Sequence, residues 1–319
     1  MSRVPRIAIL AQVAIVGLYV AVAIQYARLT PLWQAPDEPA HYNYVRYVAE
    51  YGQLPVLQPG DYPHEYLEEL KANRFPPHMS VDSVRYESWQ PPLYYAMAAA
   101  VYRLGQGLDL PGRVLSLRLL SVLFGTLLII VTGRIAARVA PGATWLVLGA
   151  MAIVATVPMH VALTSAINND TLAELWVALI LWQLLARLRS PRPLQPWLFL
   201  GVTVGLAALT KTSTWATLPL VAGVVGYVSW RRPKHRGRFA LRRGLAVALP
   251  ALVLVLPWVA RNMSVYGASD PFAFARHSAV VVGQLRTADW LAEVGLRHGV
   301  AALATTTFHS FWGQFGWMG

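Results

Sequence analysis

The feature that most constrains this chain is a succession of apolar runs long enough to cross a lipid bilayer. A hydrocarbon core of roughly 30 Å takes about 20 apolar residues of helix, and only helices or closed barrels satisfy their own backbone groups there. Residues 7–27 form the first run, and further runs at 114–133, 143–162, 172–186, 196–210, 214–230 and 244–260 predict about seven spans or more. Residues 1–319 therefore read as one all-α, multi-span integral membrane domain. Composition agrees, with 56% apolar and 13% charged residues against roughly 45–50% and about 25% in soluble domains. A soluble enzyme is excluded, and so is a disordered chain.

Charge sets the expected orientation. The net charge of +12 does not point to nucleic acid, because the basic residues sit in short loops between spans, where cytoplasmic connections carry them. Arg3 and Arg6 precede the first run, which predicts a cytoplasmic N-terminus and an uncleaved first span. Arg134 and Arg138, then Arg187, Arg189 and Arg192, then Arg231, Arg232, Lys234, Arg236, Arg238, Arg242 and Arg243 fall on the same side. That assignment requires residues 93–104, about twelve residues, to be an interfacial helix rather than a span. The chain has no cysteine, so disulfides, zinc–thiolate sites and thiol nucleophiles are excluded.

Between the first two spans, residues 28–113 form a large external loop with juxtamembrane helices. Its polar stretch, residues 28–90, carries nine of the fifteen acidic residues, Asp37, Glu38, Glu50, Asp61, Glu65, Glu68, Glu69, Asp82 and Glu87, together with many interfacial tyrosines and tryptophans. Residues 114–260 form the transmembrane bundle. Residues 261–319 read as an external segment with the start of a further span, ending on the aromatic stretch Phe311 to Trp317 as an interrupted protein would.

Polar residues gather at the external ends of the spans. Pro36-Asp37-Glu38-Pro39-Ala40-His41 follows the first span, Arg118 lies near the outer end of the second, and Asp170 follows the third. Lys211 caps the fifth and Arg261-Asn262 the seventh. Acids and cations at one leaflet suit chemistry on a phosphorylated lipid: a carboxylate takes a proton from a hydroxyl and cations stabilise a leaving phosphate. Asp37 also suits an N-cap for a helix starting at Glu38. Asp37 and His41, four apart, permit a metal site, an acid–base pair or a structural hydrogen bond. Glu87, Trp89, Gln90, Pro91, Pro92, Leu93 and Tyr94 form a second cluster, with Tyr94 placed either to stack on a sugar or to anchor the interface. Asp170 also suits a cap for the fourth span, and Glu174 sits one turn further in, where a charge needs a partner or a task.

Together these pieces resemble the C-type glycosyltransferase superfamily, which includes the protein O-mannosyltransferases and the bacterial lipid A aminoarabinose transferases. The resemblance rests on Asp37-Glu38 with His41, Gln90-Pro91-Pro92-Leu93-Tyr94-Tyr95, Arg118-Leu119-Leu120, Asn168-Asn169-Asp170, Leu209-Thr210-Lys211 and Pro257-Trp258 with Arg261-Asn262. It implies inverting transfer of a sugar from a polyprenyl-phosphate donor to a hydroxyl of a glycan, lipid or protein acceptor, at the outer face of the cytoplasmic membrane. On that reading Asp37 is the general base with Glu38 beside it. Lys211, Arg261 and Arg118 hold the donor phosphate, while His41, Asp170, Gln90 and Tyr94 face sugar or acceptor. No nucleotide pocket is required. Some relatives use a divalent metal and others none, and Asp37 with His41 is the pair that would carry one here. The alternatives are a lipid-linked glycan transporter, which places its ionisable residues near the midplane, and an inactive truncated assembly subunit.

Overall fold

A computed structural model describes residues 6–191, 193–231, 236–283 and 287–317; Arg3, Arg192, Arg232 and Lys234 lie outside them. Among the described residues every regular element is helical. Four helices among the described residues are long and apolar enough to cross a membrane: α1 (Arg6–Leu29), then, further along the chain, Leu110–Val139, Asp170–Arg189 and Arg236–Tyr266. Between the first two lie α2 (Glu38–Tyr51), α3 (His64–Ala72), a 3-10 turn over Tyr86–Trp89 and α4 (Leu93–Leu104). The bundle continues through α5 (Leu110–Val139), α6 (Thr144–Thr156), α7 (Pro158–Leu163), α8 (Asp170–Arg189), α9 (Gln195–Ala208), α10 (Thr217–Trp230) and α11 (Arg236–Tyr266). Three further helices follow: α12 (Phe274–Val280), α13 (Thr287–Val294) and α14 (Leu296–Trp312).

All seven apolar segments are helical, but they differ in length from simple spans. The segment expected at 143–162 is broken at Val157 into α6 and α7. Pro158 has no N–H to continue the ladder and holds the residue before it extended, with Val157 at ψ 114°. Helices α9 and α10 have 14 residues each, about 21 Å, and the sixth segment opens with a 3-10 turn over Thr212–Ala216. These three lean on the long helices. Gly201 and Gly205 of α9 face the α11 backbone, where an added Cβ would lie 2.4 Å from the Val247 carbonyl oxygen and 3.0 Å from the Ala251 Cα. Such small-residue stripes let helices approach closely where lipid supplies no hydrophobic drive. By contrast α1 and α11 expose Ile7, Leu10, Val13, Leu249 and Val253, as helices facing acyl chains do.

The loop after α1 folds into a layer over one end of the bundle. Its core of Tyr42, Tyr44, Leu57, Leu67, Leu70, Tyr94, Tyr95 and Tyr102 runs on into Leu117, Phe124 and Leu172 of α5 and α8. The tie between layer and bundle is ionic. Glu38 and Arg118 are buried, with side chains 0% and 3% exposed, and meet through two parallel contacts of 2.7 and 2.6 Å. Arg118 gives its three remaining N–H groups to the carbonyls of Ala27, Thr30 and Pro31, so all five of its donors are engaged. Glu38 also accepts from the amides of Trp33 and Ile167. The end of α1, the start of α2, α5 and the turn before α8 thus meet at one carboxylate.

A buried pair tolerates loss of one partner poorly, because the other is left as an uncompensated charge. Arg118→Leu or Glu38→Gln is expected to destabilise the fold by about 3–5 kcal/mol, read as a lower thermal midpoint in detergent. An unchanged midpoint in both variants would refute this role.

Candidate active site

Although adjacent, the carboxylates of Asp37 and Glu38 do not form a pair. Asp37 has φ 60°, a left-handed conformation that a non-glycine residue adopts at some cost and that Asp tolerates better than most. Helix α2 starts at Glu38 as expected, yet Asp37 makes no side-chain cap bond. Its Oδ1 instead accepts from the Tyr86 hydroxyl at 2.5 Å. Glu38 turns the opposite way, into Arg118.

Beyond Tyr86, the charge of Asp37 reaches Glu87. This side chain sits in the 3-10 turn before the Pro91-Pro92 elbow and is 9% exposed. Burial, then the negative charge of Asp37, push its carboxyl up to about 8, against a lesser pull from Lys211 and a hydrogen bond from Gln90. Glu87 is therefore protonated at neutral pH. Desolvation, reinforced by Asp37, also raises the Tyr86 phenol, so it acts purely as a donor to the aspartate. His41 lies on the same side of α2. Its Nδ1 pairs with the Tyr95 hydroxyl at 2.8 Å, and burial lowers the imidazole to about 4 against the opposing effect of Asp37. It is neutral at neutral pH.

Lys211 supplies the cation. It follows α9, and its Nζ donates to Asp170 Oδ1 at 2.6 Å. Both side chains are part-exposed, 23% and 46%, so the pair is open to a ligand. Asp170 is free for this because Asn168, rather than Asp170, caps α8: Asn168 Oδ1 accepts from the amides of Asp170 and Thr171. Asn169 braces the corner by donating to Gln90 Oε1 and the Thr210 carbonyl, and the Leu93 amide donates to the Leu209 carbonyl. The charges of Asp37, Lys211 and Asp170 all act on both Glu87 and His41. Elements far apart in sequence thus converge on one site.

Other residues singled out in the sequence are taken up by structural contacts. Arg118 has no donor left for a phosphate. Arg261 gives Nη2 to the carbonyls of Leu54 and Pro55 and Nη1 to Asn262, which fastens the loop layer to the end of α11. Tyr94 is fully buried, edge-on to Tyr95, and out of reach of a stacked sugar. Gln90 is buried and holds the corner by accepting from Asn169. Asp37 and His41 point to Tyr86 and Tyr95, and no group of three or more His, Asp or Glu suited to a metal comes together among the described residues. Glu87 and Tyr86 carry no site role in the sequence reading. The available signal was an acid four residues before a double-proline elbow.

Beside Asp170 opens a groove of about 500 Å³. Its head carries His160, Asp170, Glu174 and Thr214, and its walls carry Leu128, Ile135, Ile153, Val177, Leu181 and Phe311. His160 and Glu174 pair at 3.1 Å, which answers the question of a partner for the acid within α8. A polar head continuing into an apolar channel suits an amphiphile.

A family model described as dolichyl-phosphate-mannose-protein mannosyltransferase matches residues 89–260, more than half of the chain. The matched stretch takes in the Pro-Pro elbow, Arg118, Asn168 to Asp170 and Lys211, while Asp37, Glu38, His41 and Glu87 precede it. No curated protein matches the chain. With the helical bundle and its four long apolar helices, this match establishes that the chain belongs to the dolichyl-phosphate-mannose-protein mannosyltransferase family, a family of C-type membrane glycosyltransferases.

Proposed function

We propose that this protein moves a sugar from a polyprenyl-phosphate donor to an acceptor hydroxyl, with Asp37 as general base and Lys211 as the cation on the donor phosphate. The observation that carries the reading is that the charges of Asp37, Asp170 and Lys211 all act on Glu87, while Asp170, paired with Lys211, lines the head of an apolar groove. The isoprenoid lies in the groove, and its phosphate displaces Asp170 from part of the Lys211 ammonium. Tyr86 holds one oxygen of Asp37, leaving the other for the acceptor. As the acceptor oxygen bonds to the anomeric carbon, its proton passes to Asp37. The carbon–oxygen bond to phosphate breaks with inversion, and the lipid phosphate departs with the electron pair against Lys211. Asp170 assists on the acceptor side once released. Glu38, Arg118 and Arg261 fix the frame in this reading and do not touch substrate.

The neutral state of Glu87 matters for the donor. Three ionised carboxylates around one ammonium would repel a phosphate, and burial of Glu87 removes one of those charges. The orientation proposed is Asp37 outside and the arginines of α5 and α8 inside the cytoplasmic membrane, following the positive-inside bias.

Asp37→Asn is expected to retain donor-lipid binding and lose roughly 10²–10⁴-fold in transfer rate, measured with a lipid-linked sugar and acceptor in proteoliposomes. Wild-type transfer at the wild-type rate in that variant would end the proposal. Because the Glu87 carboxyl is held up near 8, deprotonation adds negative charge as pH rises through that value. Donor KM should therefore climb on the alkaline side and be flat in Glu87→Gln; the same alkaline limb in both proteins would dismiss this role. A cysteine at exposed Glu69 should label from outside intact cells and one at exposed Arg231 only after permeabilisation. The reverse pattern would invert the orientation.

A further inference from the structure

The end of the bundle remote from Asp37 has a charge problem of its own. Between Asp109 and Asp270 the chain contains two acidic residues, Asp170 and Glu174, and both belong to the first end. Arg187 and Arg189 stand 17 and 19 residues along α8 from Asp170, about 26 Å or more at 1.5 Å per residue. Arg138 of α5 meets them there. Its guanidinium lies 4.0 Å above the Trp182 ring and donates to the Trp182 carbonyl. Arg189 donates to the Arg138 carbonyl. Arg187 faces the positive charge of Arg138, and its Nε and Nη1 are buried without a hydrogen-bond partner. No carboxylate pairs with any of the three among the described residues.

Three guanidinium groups held together, with buried donors unmet, need an anion from outside the chain. Guanidinium forks match phosphate oxygens in geometry as well as charge, and a basic pocket between spanning helices at the cytoplasmic surface is where lipid headgroups offer them. We propose that Arg138, Arg187 and Arg189 form a phosphate-binding site between α5 and α8, at the end of the bundle opposite the acid–lysine cluster. The phosphate takes the idle Nε and Nη1 of Arg187 and bridges to the guanidinium of Arg189. Arg138, fixed on Trp182, supplies charge behind them. Occupancy pins the end of α8 to α5, and because α8 carries Asp170 at its other end, the site stabilises the helix that presents Asp170 to Lys211.

The test uses the full chain in nanodiscs of phosphatidylcholine, with and without phosphatidylglycerol, and in detergent with and without inorganic phosphate, reading the thermal midpoint. Phosphatidylglycerol should raise the midpoint of the wild type. Arg187→Gln should lose most of that shift, and so should Arg189→Gln, an exposed position that keeps the test valid if Arg187→Gln fails to fold. Exposed Arg134→Gln, in the same charged belt, should keep it. A rise with inorganic phosphate alone assigns the site to the free ion, and a rise confined to phosphatidylglycerol assigns it to the lipid phosphodiester; both support the site. No rise in any arm for the wild type, or equal loss in Arg134→Gln, would overturn it, the latter by reducing the effect to diffuse attraction.

Discussion

The buried contact between Glu38 and Arg118 is the constraint on which the rest of the structure depends. Two opposite charges withdrawn from water are tolerable only when every donor and lone pair finds a partner, and here the carbonyls at the end of α1 and the amides of Trp33 and Ile167 complete the set. The contact therefore defines where four separate pieces of chain meet. It also explains the left-handed φ of Asp37. With Glu38 committed inward, the preceding carboxylate reaches Tyr86 only if the backbone turns sharply between them, and Asp is among the residues that bear that conformation best.

The molecule is electrostatically divided along its bundle axis. One end collects carboxylates, and their mutual repulsion together with burial keeps Glu87 protonated. Lys211 is the cation paired with Asp170 there. At the other end Arg138, Arg187 and Arg189 gather, and among the described residues no carboxylate pairs with them. A bilayer makes both ends intelligible, since charge is unwelcome between them, and the apolar groove beside α8 runs from the first end along the intervening wall.

The fold was largely legible from sequence. Run length and hydropathy mark every helix of the bundle, and the twelve-residue length of 93–104 matches α4. The break at Pro158 was available too, but run length masks it, because an apolar run stays apolar through a proline. The site was legible in part. Asp37, His41, Asp170 and Lys211 were picked out, and the structure brings the charges of Asp37, Asp170 and Lys211 to act on a neutral His41. Arg118, Arg261 and Tyr94 were picked out on the same grounds and lie elsewhere, because residue type and leaflet do not tell which way a side chain points. Glu87 was grouped with the double-proline elbow but given no role, and Tyr86 was passed over, because an acid and a phenol in an acidic, tyrosine-rich loop look ordinary until packing buries them.

The amino-acid sequence alone determined the class of protein, the number of apolar segments and the separation of acids from arginines, since these follow from transfer free energies that depend on composition and spacing. The tertiary structure decided which carboxylate faces which partner. Adjacent Asp37 and Glu38 were given different partners, Tyr86 and Arg118, and Glu87, fifty residues on, was brought within reach of the Asp37 charge by the packing of the loop layer. Pairing and desolvation are properties of distance in space, and distance along the chain does not encode them.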